Sequence, residues 1–261
     1  LVASDLDARL AQRRDTLTHV AEGFTMEEVV LRSRSRLLIR REIALQHMFD
    51  GIYVFDASGK VIAEYPQSFE QTGLDVSGRE YFRQTSSQLT SIISDPYVSN
   101  YLERPAVMMT APIFDHRQRF IGVLVGAVFL DGDNFMEDTS GVSIGKTGYV
   151  SIATRTGVTL GHGRTGETMV PLRLENEAHK KAMAGFEGTL QTLDQEGTET
   201  ITSVRQMSQV PWFVAAVWPV NEAYAPLSRL TDSFAQTLLI VILIVAPLAL
   251  AFVGRSVPDA A

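Results

Sequence analysis

The 261 residues carry 45% apolar side chains, enough for a packed core and too many for a disordered chain. A net charge of -7 argues against a nucleic-acid surface, and the lack of any cysteine excludes disulfide and thiolate chemistry. The chain opens on Leu1 rather than Met, so the sequence is expected to be a fragment of a longer protein.

Ser4 to Glu22 reads as a helix. Leu6, Arg13 and Val20 recur every seven residues, as do Leu10, Leu17 and Phe24, a spacing that fits a coiled-coil seam between two copies and equally an ordinary amphipathic helix. Gly23 stops it, and Thr25-Met26-Glu27-Glu28 has the form of a capping box opening a second helix to about Met48, with Val30, Leu37 and Ala44 on one side. Arg32, Arg34, Arg36, Arg40 and Arg41 crowd its middle and read as a solvated face.

Ile52–Phe55 and Val61–Glu64 flank Ala57-Ser58-Gly59-Lys60 as a hairpin. Gln67–Leu89 mixes loop and helix. Ala106–Phe114 and Phe120–Leu130, joined by the polar residues 115–119, form a second hairpin. Together these make a PAS-like α+β unit on an antiparallel sheet. The pattern then repeats in shorter form: strands at Gly148–Ala153 and Val158–Gly161, a helix at Leu174–Ala184, and strands at Gly188–Leu193, Thr198–Gln206 and Trp212–Trp218. Asn221 is placed to cap a last helix, which leads into the uncharged run Leu238–Val253. With its flanks this run approaches the roughly 20 residues that cross a bilayer core, so a membrane span is expected at about residues 235–254.

No catalytic constellation is present. The five histidines are scattered without metal-ligand spacing, and Asp131 to Asn134 read as a plain turn. Ser143-Ile144-Gly145-Lys146-Thr147-Gly148 lacks the first glycine of a phosphate loop. No metal, cofactor or enzymatic activity is therefore expected of this fragment. What remains is a pocket: Arg79 offers a planar fork for a carboxylate or phosphate, and Tyr81, Phe82 and Tyr97 offer apolar walls with hydroxyl handles.

The order Arg79-Glu80-Tyr81-Phe82, Ser94-Asp95-Pro96-Tyr97, Pro105-Ala106-Val107, Ala111-Pro112-Ile113 and Phe120-Ile121-Gly122-Val123 resembles the double Cache family of bacterial extracytoplasmic sensor domains. The resemblance extends over most of residues 49–226. It implies an α+β chain: N-terminal helices at 1–48, a membrane-distal ligand-binding module at 49–137, a membrane-proximal module at 138–226, and at 227–255 a helix leading into the span. It also implies a small-molecule sensor of a transmembrane receptor, pairing as a homodimer, with its bulk periplasmic or extracellular and its anchor in the inner membrane. The output module, a chemotaxis hairpin, a histidine kinase or a diguanylate cyclase, would lie downstream. An envelope interaction module that senses nothing is the other reading.

In that family the arginine corresponding to Arg79 binds a ligand carboxylate and the aromatics line the cavity. The expected ligand residues are Arg79, Tyr81, Phe82, Tyr97, Ser99, Met109 and Val128. The histidine of Gly161-His162-Gly163 also has a counterpart in many members, and a structural role is expected for it. The amino-acid-sensing members carry a tyrosine where this chain has Leu74, and acidic residues that hold the ammonium. The nearest positions here, Ser99 and Gly126–Val128, are uncharged, so a small anion lacking an amino group is expected.

Overall fold

A computed structural model describes residues 2–131, 142–172, 177–194, 197–225, 236, 241–242 and 244–246. Its first helix, α1 (Val2–Glu22), buries Leu6, Leu10, Leu17, Val20 and Ala21. Those residues belong to one core shared with both sheets, so the seven-residue repeat is an intrachain face and its leucines are not available to a second copy. Arg13 lies beside this face, where its Nε donates to the Met48 carbonyl at 3.0 Å.

The segment after Gly23 is three short helices rather than one: α2 (Met26–Val30), α3 (Arg32–Arg41) and α4 (Ile43–Met48). The capping box forms, with the Thr25 amide donating to Glu28 Oε2 at 2.7 Å. Leu31 and Glu42 interrupt the helix, both outside helical backbone angles. Each break resets the rotation of the chain. Val29, Ile39 and Leu45 consequently face the core, whereas Val30, Leu37 and Ala44 are exposed.

The first sheet contains β1 (Gly51–Asp56), β2 (Val61–Tyr65), β3 (Ile92–Ile93), β4 (Tyr97–Val98), β5 (Pro105–Phe114) and β6 (Phe120–Phe129). Its order is β2-β1-β6-β5-β3, with β4 also on β5, and every pairing is antiparallel. Helix α5 (Glu80–Gln88) crosses one face, fixed by a 2.5 Å bond between the Thr85 and Thr110 hydroxyls. The turn between β5 and β6 closes on Asp115, whose carboxylate accepts from the amides of Arg117 and Arg119 at 2.8 and 2.9 Å and from Arg119 Nε at 2.8 Å.

The second sheet repeats this design. It runs β8-β7-β11-β10-β9, from β7 (Tyr149–Thr154), β8 (Thr159–His162), β9 (Gly188–Leu193), β10 (Glu199–Gln206) and β11 (Trp212–Pro219). Helix α6 (Glu177–Met183) covers one face, over Ala153, Val204, Phe213 and Ala215. The other face adds Ile152, Trp212 and Val214 to the core around α1. Polar bonds tie α1 to this module as well: Asp7 accepts from the amides of Ser208 and Gln209 at 2.9 and 3.1 Å.

The final short helix, α7 (Val220–Ala223), is entered from Pro219, so Asn221 lies inside it and is not its cap. Glu222 reaches back to the loop before β7, accepting from the Lys146 amide at 2.9 Å and the Thr147 hydroxyl at 2.8 Å. The Gly-Lys-Thr sequence thus holds the protein's own carboxylate. Among the described residues no helix is long and apolar enough to cross a membrane, and the expected span at 235–254 falls largely outside them. The expected turn at Asp131 to Asn134 also lies outside them, beyond Asp131 itself.

Candidate functional site

In an extended strand, successive side chains point to opposite faces. On β5 this sends Val107, Met109 and Ala111 to the α1 side and Ala106 and Met108 to the α5 side. On β6, Leu124 and Val128 join the α1 side, while Val123, Val125, Ala127 and Phe129 join the α5 side. At Gly126 the α1 side is tightly packed, since a methyl group there would run into the Phe49 ring. The aromatic side chains gather on the α5 side.

There Arg79 stands at the N-cap of α5, half-buried. Tyr81, two residues on, stacks on Tyr97 of β4 with ring centroids 5.9 Å apart, and the Arg79 guanidinium lies 5.8 Å from the Tyr97 ring centre. These three residues and Ser99 line one cavity with Tyr53, Phe55, Gln71, Val76, Tyr101, Leu102, Ala106, Met108 and Phe129. Four of the seven expected ligand residues are therefore brought together. Phe82 is buried against Phe55, at 6.4 Å between centroids, and does not line the cavity. Met109 and Val128 lie across the sheet, and Met108 occupies the place expected of Met109.

The cavity walls set its electrostatics. Burial raises the pKa of the hydroxyls of Tyr53, Tyr81 and Tyr97, so all three stay protonated at neutral pH and can donate. No carboxylate lines the cavity. Among the described residues Arg79 has no ion-pair partner; the one acid on its own helix turn, Glu80, pairs with Arg83 instead. Glu64, opposite Tyr53 in the register, is buried, yet it spends its oxygens on the chain. It accepts from the amides of Gln71 and Thr72 at 2.7 and 3.2 Å and from the Thr72 hydroxyl at 2.6 Å. That clamp sets Gln71 at the cavity wall.

The space left between these side chains is about 20 Å³, room for one water molecule. A larger ligand has to displace side chains. Tyr101, which is exposed, and Leu102 stand at the mouth on a turn closed by the Ser99 amide donating to the Arg104 carbonyl at 2.8 Å. Sequence reasoning missed Tyr53, Phe55 and Phe129, although the alternation of Tyr53 and Phe55 along β1 was a usable signal. Gln71, Tyr101 and Leu102 come from irregular segments that carry no periodic signal.

Solved structures share this architecture. The ligand-binding domain of the Pseudomonas aeruginosa amino acid chemoreceptor PctB, in complex with L-Arg, superposes with a TM-score of 0.68 at 18% identity, over 89% of each chain. That of the Pseudomonas fluorescens chemoreceptor CtaA, with L-isoleucine, gives 0.64 at 17% identity over 86% of this chain and 90% of that one. The domain of Mlp24 with asparagine gives 0.61 at 18% identity over 87% and 91%. The family model for the Cache domain (dCache_1) matches residues 1–227. With two repeated sheets on one long helix and this match over most of its length, the chain belongs to the double Cache family.

Proposed function

We propose that this chain is the extracytoplasmic sensing part of a bacterial transmembrane receptor, and that its first module binds a small anion or carboxylate without an amino group. The observation that carries this is Arg79: a half-buried guanidinium with no carboxylate partner among the described residues, over the Tyr97 ring in a cavity with no acidic wall. A ligand ammonium buried there would meet no opposite charge, which is costly. PctB, CtaA and Mlp24 were each solved with an amino acid, so amino acids are the competing ligand class. Membrane anchoring at about 235–254 and pairing with a second copy belong to the same reading. So does signalling through the residues after β11, with an output module downstream. Pairing would have to use the polar face of α1, because its apolar face is buried within the chain.

The test is a thermal-shift screen of the detergent-solubilised chain with acetate, malate and succinate against leucine, glutamine and arginine, then calorimetry on variants. Hydrogen bonds to a charged group contribute about 1.5–3 kcal/mol each, so Arg79→Ala should weaken binding on the order of 10- to 1000-fold. Arg79→Lys should rescue it in part, since an ammonium cannot make the bidentate contact. Stabilisation by amino acids and not by simple carboxylates would overturn the ligand class. Equal affinity in wild type and Arg79→Ala would overturn the site.

A further inference from the structure

We propose that Tyr53 is the specificity-determining residue of the first cavity. Its hydroxyl donates to a neutral second oxygen of the ligand, so the site takes a short hydroxy or oxo monocarboxylate in preference to a plain fatty acid. This rests on Arg79 as the anchor of the carboxylate and adds what holds the other end of the molecule.

Tyr53 stands on β1 and lines the cavity with only 2% of its surface exposed. Its ring packs against Phe55, at 6.2 Å between centroids, and against Phe69, at 6.3 Å with planes 24° apart. The phenol runs along the strand towards Gly51: a methyl group built on Gly51 would sit 3.0 Å from the Tyr53 hydroxyl and 3.0 Å from the Phe69 ring. Gly51 has no left-handed backbone angle, so its missing side chain makes room for the tyrosine and does not serve the path of the chain. In the register Gly51 stands opposite Ala127 of β6, and Ala127 opposite Met108 of β5. Met108 lines the cavity, so the hydroxyl end of Tyr53 lies in a row of the sheet that floors it.

Buried hydroxyls are nearly always bonded, yet that of Tyr53 has no hydrogen-bond partner among the described residues. Glu64, the acid opposite it in the register, accepts from Gln71 and Thr72 instead. Burial raises the pKa of the Tyr53 hydroxyl, so at neutral pH it is a donor. A buried donor left unpaired loses more than a bond gains, so a ligand oxygen that accepts from Tyr53 is favoured over a methylene group in that place. A second carboxylate is disfavoured there. Among the described residues Arg79 is the one cation lining the cavity, and Glu64 stands beside the tyrosine. What remains is a neutral oxygen, a hydroxyl or a ketone, on a monocarboxylate.

The experiment is calorimetry of the whole chain in detergent with propionate, lactate and pyruvate, on wild type, Tyr53→Phe and Arg79→Ala, with a thermal melt of each protein without ligand. Wild type should bind lactate or pyruvate about tenfold or more tighter than propionate, and Tyr53→Phe should bring that acid down to the affinity of propionate. Arg79→Ala should weaken all three. The Tyr53 hydroxyl has no partner within the described chain, so Tyr53→Phe should melt no lower than wild type, whereas a hydroxyl that served the fold would lower the melt on removal. Propionate that binds as tightly as both other acids, a preference that survives Tyr53→Phe, or a lower melting temperature in Tyr53→Phe would each overturn the inference and leave Arg79 as the carboxylate anchor. Equal affinity in wild type and Arg79→Ala would overturn that anchor, and the inference with it. Wild type that binds none of the three acids would also overturn the inference, and the anchor is then decided by acetate, malate and succinate.

Discussion

Leu17→Ala tests whether the seven-residue repeat of α1 serves the chain or a second copy. Leu17 has no exposed surface and packs in the core that joins both sheets. Truncating a leucine in such a place costs about 3–5 kcal/mol, as transfer free energy plus the cavity left behind. For a domain of this size each kcal/mol lowers the melting temperature by about 2–4 °C, so the expected fall is about 6–20 °C. The assay is thermal denaturation of wild type and variant by circular dichroism, at two protein concentrations about tenfold apart in the same detergent. An intrachain face predicts the same difference at both concentrations. A difference that changed with concentration would place Leu17 between copies, because mass action then enters the stability. That result, or a fall of less than about 2 °C, would refute the reasoning.

Ser99→Asp places a carboxylate in the first cavity and should let it accept amino acids while weakening simple carboxylates about tenfold, read by calorimetry. Asp115 is held at a pKa of about 2, chiefly by the Arg119 amide, with the Arg119 side chain and the Arg117 amide adding to it. A lowered folded-state pKa gives stability that is full above the unfolded value of about 3.9 and lost as pH falls toward 2. Asp115→Asn should therefore flatten the melting temperature between about pH 4 and pH 2, where wild type declines. Gly59→Ala should cost more than about 1 kcal/mol in chemical denaturation, since φ is +88° there and the added methyl would sit 2.8 Å from the Ser77 backbone.

The hairpins and the doubling of the module were legible because each hairpin is local: two apolar runs and a polar turn fix their own pairing, whereas the placing of β1 beside β6 is not local and was not read. The Asp115 turn and the Thr25 capping box are of this kind. Arg79, Tyr81, Tyr97 and Ser99 were likewise reachable, from pocket chemistry and a family pattern read on the sequence. Met109 and Val128 were not, because β5 and β6 are apolar on both faces and alternation is then invisible. Only the register, with α1 on one side and α5 on the other, decides that Met108 faces the cavity. The same holds for Glu64, an acid that the sequence gives no reason to bury and that the fold clamps to Gln71 and Thr72. Spacing along α1 announced an apolar seam and left its partner open. The partner is the pair of sheets, since contacts between segments far apart in sequence are set by how the elements pack, and no local pattern records them.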